Sequence, residues 1–273
     1  MNINFTKLTA AGNDFIVIDN RTKFIVKDKY NVLAKQLCDR KYSIGADGLI
    51  LLENSNISNF KMVYFNSDGS HACMCGNGGR AIAKFAYDIN IVDQNMNFET
   101  DAGIIKASIL PNNKVKLYLY DPKNLRQNIN ILIKNKKIIL DFIDTGVPHA
   151  VMFVNDIKNV DVFNLGQSIR LHETFNNCNG TNVNFVKVSQ DNNDTIFVRT
   201  YERGVENETL ACGTGVIASS IISVIKGFVN SPVTVITKNN DILKVSFNHN
   251  DNIIKAVALE GPAFIVFKGI IKI

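Results

Sequence analysis

The chain has 273 residues, of which 46% are hydrophobic and 20% charged. That is enough apolar matter for one large domain or two of roughly 130 residues, and too little charge for a disordered chain. The net charge of +5 is spread thinly, with Lys134, Lys136 and Lys137 as its densest cluster, which argues against a nucleic-acid partner. No apolar run reaches the roughly 18 residues of a membrane span, and Met1-Asn2-Ile3-Asn4-Phe5 lacks the pattern of a leader, so a cytoplasmic protein without membrane contact is expected.

Alternating apolar residues predict strands over 3–8, 15–19, 48–52 and 61–65, then over 104–109, 115–120, 138–143 and 150–154. Further strands are predicted over 183–188, 196–201, 233–237, 242–247, 254–259 and 263–267. Helical spacing appears over 29–39, with Val32, Leu33 and Leu37 on its apolar side, and more weakly over 164–173. Two further helices, over 76–87 and 213–226, are apolar and rich in small residues, the pattern of buried helices. Many short strands with few helices fit an α+β architecture better than alternating βαβ units.

The five cysteines are an odd number, and in a reducing compartment any special one is reactive rather than cross-linked. Cys38 falls on an apolar helix face and reads as core; Cys178 falls in a polar loop and reads as incidental. Cys73-Met74-Cys75 has no second pair at metal-ligand spacing, so no metal is expected.

Cys75 and Cys212 are set apart by an internal echo. Positions 75–78 read Cys-Gly-Asn-Gly and positions 212–215 read Cys-Gly-Thr-Gly, each opening a small-residue helix after an acidic, turn-rich stretch. Their separation is about half the chain, which suggests two related halves. The turn at Asn112-Asn113 and the stretch Asp121-Pro122-Lys123 place the boundary near residue 118. The predicted halves are therefore 1–117 with a returning strand 262–273, carrying Cys75, and 118–261, carrying Cys212.

Glycines after the cysteine let a ligand approach the backbone closely. The unpaired amides of a first helical turn bind anions, and the same field favours thiolate over thiol. Two such motifs around one carboxylate suit inversion of the carbon beside it. One thiolate removes the α-proton, the opposite thiol returns one to the other face, and the helix-start amides stabilise the charge that grows on the carboxylate.

The stretch Phe65-Asn66-Ser67-Asp68-Gly69-Ser70, followed by Cys75-Gly76-Asn77-Gly78-Gly79-Arg80-Ala81, resembles the first signature of the diaminopimelate epimerase family. Glu202-Arg203-Gly204 followed by Ala211-Cys212-Gly213-Thr214-Gly215 resembles the second. Gly12-Asn13-Asp14-Phe15, Gly45-Ala46-Asp47-Gly48, Gly146-Val147-Pro148-His149 and Thr181-Asn182-Val183-Asn184-Phe185 match in the family's order, so the resemblance spans nearly the whole chain.

The resemblance implies two pseudo-symmetric α+β halves, each a curved mixed sheet wrapped round a central helix, with the active site in the cleft between them. It implies interconversion of LL- and meso-diaminopimelate with no cofactor, neither pyridoxal phosphate nor metal, and a homodimer. Cys75 and Cys212 would be the two bases. Gly76, Asn77, Gly213 and Thr214 would hold the reacting carboxylate, with His149 and Glu202 near the reacting ammonium. Asn13, Asn66, Asn182 and Arg203 would hold the rest of the substrate, several at its distal end. The chain departs from the family pattern at Val147, where many relatives carry Asn, and at Gly48, where some carry Gln, and both departures concern the distal end. The alternatives are a two-cysteine racemase or epimerase of another amino acid, including an analogue of diaminopimelate, and a non-catalytic amino-acid-binding or thiol-redox protein.

Overall fold

A computed structural model describes residues 2–250 and 253–273. The chain divides into two compact units, one running to Tyr118 and completed by Glu260–Ile273, the other formed by Leu119–Leu259.

In the first unit the chain order is β1 (Asn2–Ala10), β2 (Asn13–Asp19), α1 (Tyr30–Cys38), β3 (Gly48–Glu53), β4 (Phe60–Asn66), β5 (His71–Ala72), α2 (Gly76–Asp88), β6 (Asn95–Thr100), β7 (Gly103–Leu110) and β8 (Lys114–Tyr118). In the second it is β9 (Lys123–Ile133), β10 (Lys136–Asp144), β11 (Pro148–Phe153), α3 (Val162–Arg170), β12 (Asn182–Val188), β13 (Thr195–Glu202), β14 (Asn207–Thr209), α4 (Gly213–Ile225), β15 (Val233–Ile236) and β16 (Ile242–Asn250). The unit boundary falls inside β17 (Ile253–Pro262), and β18 (Phe264–Lys272) returns to pair antiparallel with β1.

The two units repeat one topology. In the first, β1/β2 is antiparallel, β2/β3 parallel, β3/β4 antiparallel, β4/β6 parallel and β6/β7 antiparallel. In the second, β10/β11, β11/β12, β12/β13, β13/β15 and β15/β16 follow the same sequence of senses. A parallel pair needs a crossover, and each is spanned by a helix: α1 and α2 in the first unit, α3 and α4 in the second. The sequence echo around the two cysteines is thus an echo of the whole unit.

Each sheet carries a central helix on one face and a short helix on the other. α2 packs against β1, β2, β3, β4, β7, β8 and β18, and α4 against β10, β11, β12, β13, β15 and β16. Contact with that many strands of one sheet requires the sheet to curve around the helix. Strand β3 shows the consequence for sequence. Leu49 and Leu51 join the α1 core with Leu33, Ala34 and Leu37, while Ile50 lies under Gly78 of α2. Both faces are covered, so the strand is a continuous apolar run rather than an alternating one.

The predicted strands and helices all occur, with ends that differ by a few residues, and four strands were not anticipated. β5 and β14 are very short, β9 is mostly polar and exposed, and β6 alternates Met96, Phe98 and Thr100 inward between Asn95, Asn97 and Glu99. The apolar face of α1 also differs from expectation: Tyr30, Leu33, Ala34, Leu37 and Cys38 are buried, whereas Val32 is exposed. Cys38 is core as expected, and burial pushes its thiol up to about 12, so it is inert.

α3 sits flat on the sheet because Gly166 has no side chain: a Cβ there would lie 2.6 Å from Cβ of Tyr201 and 2.8 Å from its Cγ. Tyr201 is fully buried and cannot withdraw. Gly166→Ala is therefore expected to lower stability by about 1–3 kcal/mol, read as a lower midpoint in urea unfolding.

Candidate active site

In the first unit, Cys75 is the N-cap of α2, with extended backbone. Its Sγ accepts from the backbone N–H of Gly78 at 3.3 Å, and its carbonyl accepts from Gly79 N at 2.7 Å. Helix geometry leaves the Gly76 and Asn77 amides without an intrahelical acceptor. No acidic residue lies in this first turn, so the positive end of the helix is uncompensated. A Cβ built on Gly76 would meet nothing within 4 Å, so packing does not demand glycine here and the space beside it is open.

The Asn77 side chain is buried and fully used. Its Nδ2 donates to Asn13 Oδ1 at 2.6 Å and to Ala11 O at 3.4 Å, and its Oδ1 accepts from Arg80 at 2.7 Å. What Asn77 can offer a ligand in this arrangement is its backbone N–H. Asn13 in turn donates to Asp47 Oδ2 at 2.9 Å. Asp47 and Asp14 cross-brace the starts of β3 and β2 through each other's amides, and Arg40 bonds both carboxylates at 2.6–3.0 Å. Lys7 adds an ion pair to Asp14 at 2.8 Å and a hydrogen bond to the Gly45 carbonyl. Burial alone would raise the pKa of Asp14; the hydrogen bonds from Arg40 and Lys7 outweigh it and hold the carboxyl at about 2. Asn66 ends β4 at the turn toward β5, and its Nδ2 donates to Ser70 Oγ at 2.9 Å.

In the second unit, Cys212 is buried at the N-cap of α4. Its Sγ lies 3.4 Å from Thr214 Oγ1. Thr214 Oγ1 is 2.9 Å from His149 Nε2, and its carbonyl accepts from Thr145 Oγ1 at 3.1 Å. Again no acid lies in the first turn. His149 has no exposed surface, and Asn184 Nδ2 stands 3.1 Å from its Nδ1. Burial, with the nearby Arg203 charge, pushes the ring down to about 3, so it is neutral at physiological pH. His149 thus lies behind Thr214, with both ring nitrogens engaged by protein.

Asn182 and Arg203 form a second cluster. Asn182 Oδ1 accepts from Arg203 N at 2.9 Å and its Nδ2 donates to Pro148 O at 3.0 Å. Arg203 Nη1 donates to the Cys178 and Gly180 carbonyls at 2.7 and 3.3 Å. Those bonds hold one arm of the guanidinium and leave the planar fork oriented, the geometry that suits a carboxylate. Glu202 precedes it, and burial raises its carboxyl pKa.

Sequence reasoning missed the residues behind these groups: Asp14, Asp47, Arg40 and Lys7 behind Asn13, and Asn184 and Thr145 behind Thr214. A signal was present for three of them: Asn184 lies in the matched stretch Thr181-Asn182-Val183-Asn184-Phe185. Asp14 and Asp47 each fall at or just before the start of one of two parallel strands, within stretches already singled out. Among the described residues, no cluster of three His, Cys, Asp or Glu side chains could hold a metal ion.

Solved structures with this fold define its class. A phenazine biosynthesis protein of the PhzF family from Enterococcus faecalis superposes with a TM-score of 0.74 at 14% identity, covering all of both chains. A probable proline racemase from Agrobacterium radiobacter superposes at 0.72 and 15% identity, covering 99% of this chain and 92% of that one. The fold is therefore that of the PhzF and proline racemase structures.

Residues 5–124 and 142–265 match the family model for diaminopimelate epimerase. The diaminopimelate epimerase of Aquifex aeolicus is 44% identical over 98% of this chain and 97% of its own length, and that of Flavobacterium psychrophilum 41% identical over 96% and 97%. The chain belongs to the diaminopimelate epimerase family.

The Asp14 brace makes a pH-dependent prediction. A carboxyl held below its ordinary value near 4 adds stability above that value and loses it as the pH falls toward the folded value. Asp14→Asn should be less stable than the native protein at pH 7, and the difference should close between about pH 4 and pH 2, as followed by thermal unfolding across that range.

Proposed function

We propose that the protein interconverts LL- and meso-diaminopimelate by two-base proton transfer at the α-carbon, with Cys75 and Cys212 as the bases, in lysine biosynthesis. The observation that carries this reading is the duplicated half-site. In each unit a cysteine stands at the N-cap of a central helix, its sulfur lies within hydrogen-bonding distance of Gly78 N or Thr214 Oγ1, and helix geometry leaves the next two amides without an intrahelical acceptor.

One cysteine acts as thiolate and takes the α-proton. The C–H electron pair moves into the carboxylate as an enediolate, and the other cysteine, as thiol, delivers its proton to the opposite face. The first sulfur ends protonated and the second ends as thiolate, so charge and protons balance. The backbone amides of Gly76, Asn77, Gly213 and Thr214 hold the carboxylate and meet its growing charge without reorganising. Thiolate and thiol titrate as a pair, since their protonation states depend on each other. Asn13, Asn66, Asn182 and Arg203 hold the rest of the substrate. With Val147 unable to make the amide contact of many relatives, the Arg203 fork takes most of the distal carboxylate. Glu202, and His149 acting through Thr214, complete the polar surroundings of the reacting centre.

The direct test is proton NMR with LL-diaminopimelate in deuterium oxide under reducing conditions, where the meso isomer should appear with deuterium at one α-carbon. A protein that is folded and reduced yet exchanges nothing would overturn the assignment. Thioether and proline-type amino acids run alongside would then identify a different substrate. Cys75→Ala and Cys212→Ala should each lower epimerisation by at least about a hundredfold with circular dichroism unchanged, and full turnover by either single variant would sink the two-base mechanism. Arg203→Lys keeps the charge and loses the fork, so KM should rise roughly tenfold or more with a smaller change in kcat.

A further inference from the structure

The proton positions around Cys212 follow from one carbonyl. Asn184 Nδ2 and Ala150 O are 3.0 Å apart, and a carbonyl only accepts, so the nitrogen of this amide must face it. Thr200 Oγ1 donates to Asn184 Oδ1 at 3.0 Å, which agrees with the same orientation. The second Nδ2 hydrogen points to His149 Nδ1 at 3.1 Å, so Nδ1 must be the bare, accepting nitrogen. The ring is neutral, so its one proton is on Nε2 and is donated to Thr214 Oγ1 at 2.9 Å. The hydroxyl hydrogen of Thr214 is then directed elsewhere, and Cys212 Sγ is 3.4 Å away.

Packing does not require this chain. In the topological echo β3 corresponds to β12, and the residue of β3 that lies under the second glycine of the motif is Ile50, against Gly78. In β12 that place is taken by Asn184, whose Oδ1 would be 2.2 Å from a Cβ on Gly215. One copy of the fold uses an apolar side chain where the other uses a buried amide. Of the other ionisable groups on the strands around α4, Asp141 is paired with Lys226 and Arg199 with Glu208. Burial favours the neutral form of Glu202, and the Arg203 charge opposes protonation of His149.

We infer that Asn184 is a positioning residue for the reaction: by fixing the His149 proton on Nε2, it makes the Thr214 hydroxyl a standing hydrogen-bond donor to the Cys212 sulfur. A donor held on a sulfur favours the thiolate over the thiol. Cys75 receives its donor from a backbone amide that cannot reverse; Cys212 receives its own from a hydroxyl whose direction Asn184 sets. The inference deepens the two-base reading and rests on it for its catalytic consequence.

The proton's place can be measured without substrate. Long-range proton–nitrogen NMR of protein labelled at its four histidines, with His149 assigned by its loss in His149→Gln, should show a bare Nδ1 and a protonated Nε2 at neutral pH. A proton on Nδ1, or a cationic ring, overturns the inference whatever the enzyme's substrate. In kinetics, Thr214→Val and Asn184→Leu should each lower kcat roughly tenfold to a hundredfold and move the acid limb of the kcat/KM profile to higher pH. Thr214→Ser should recover most of the loss seen in Thr214→Val. Because both residues act on one donor, the double variant Asn184→Leu/Thr214→Val should be no slower than Thr214→Val alone. Losses that multiply, or an acid limb that stays in place, refute the relay even if epimerisation itself is confirmed. Should Asn184→Leu not fold, Asn184→Ala serves in the same cycle, and the native spectrum decides the proton's position without any variant.

Discussion

A helix lying in the hollow of a curved sheet is covered on most sides, so polar atoms at its start must be met by polar atoms of the sheet or left at high cost. That constraint organises both units. The third residue of each motif, Asn77 or Thr214, is the first side chain of the helix to enter the hollow, and in each unit a strand residue reaches up to it. Asn13 does so in the first unit and His149 in the second. Behind Asn13 stand two aspartates and two cations; behind His149 stands one amide. The same backbone plan is therefore braced by charge in one copy and by neutral hydrogen bonds in the other.

This difference in bracing has an electrostatic result. The charged brace of Lys7, Asp14, Arg40 and Asp47 has two charges of each sign, so it fixes Asn13 without adding net charge to the unit. The neutral brace on the other side depends on His149 staying uncharged, which its burial and Arg203 ensure. Neither helix carries an acid in its own first turn, where it would compete with a bound carboxylate for the same amides.

Much of this was legible from the sequence. The small-residue helices behind Cys75 and Cys212, the strands around them and the half-length echo follow from composition and period. What escaped had physical reasons. β9 is polar along most of its length and is a strand because β10 pairs with it, not because of its own pattern. Val32 fits an apolar face by spacing, but α1 is turned toward Tyr30, Leu33 and Leu37. By period alone Asn184, between Val183 and Phe185, belongs on the polar face of a half-buried strand. The structure covers that face with α4, and a buried Asn carries a hydrogen-bonding duty that periodicity cannot see.

The pairing of β18 with β1 sets Asn2 opposite Lys272 and Phe5 opposite Gly269. Strand β1 thus gains its outer neighbour only after the whole of the second unit has been made, because β18 lies beyond that unit in the chain. Until then one of its edges stays open while Leu119–Leu259, whose residues are contiguous, can assemble on its own. Synthesis therefore favours an order in which the contiguous unit folds first and the discontinuous one completes its sheet afterwards.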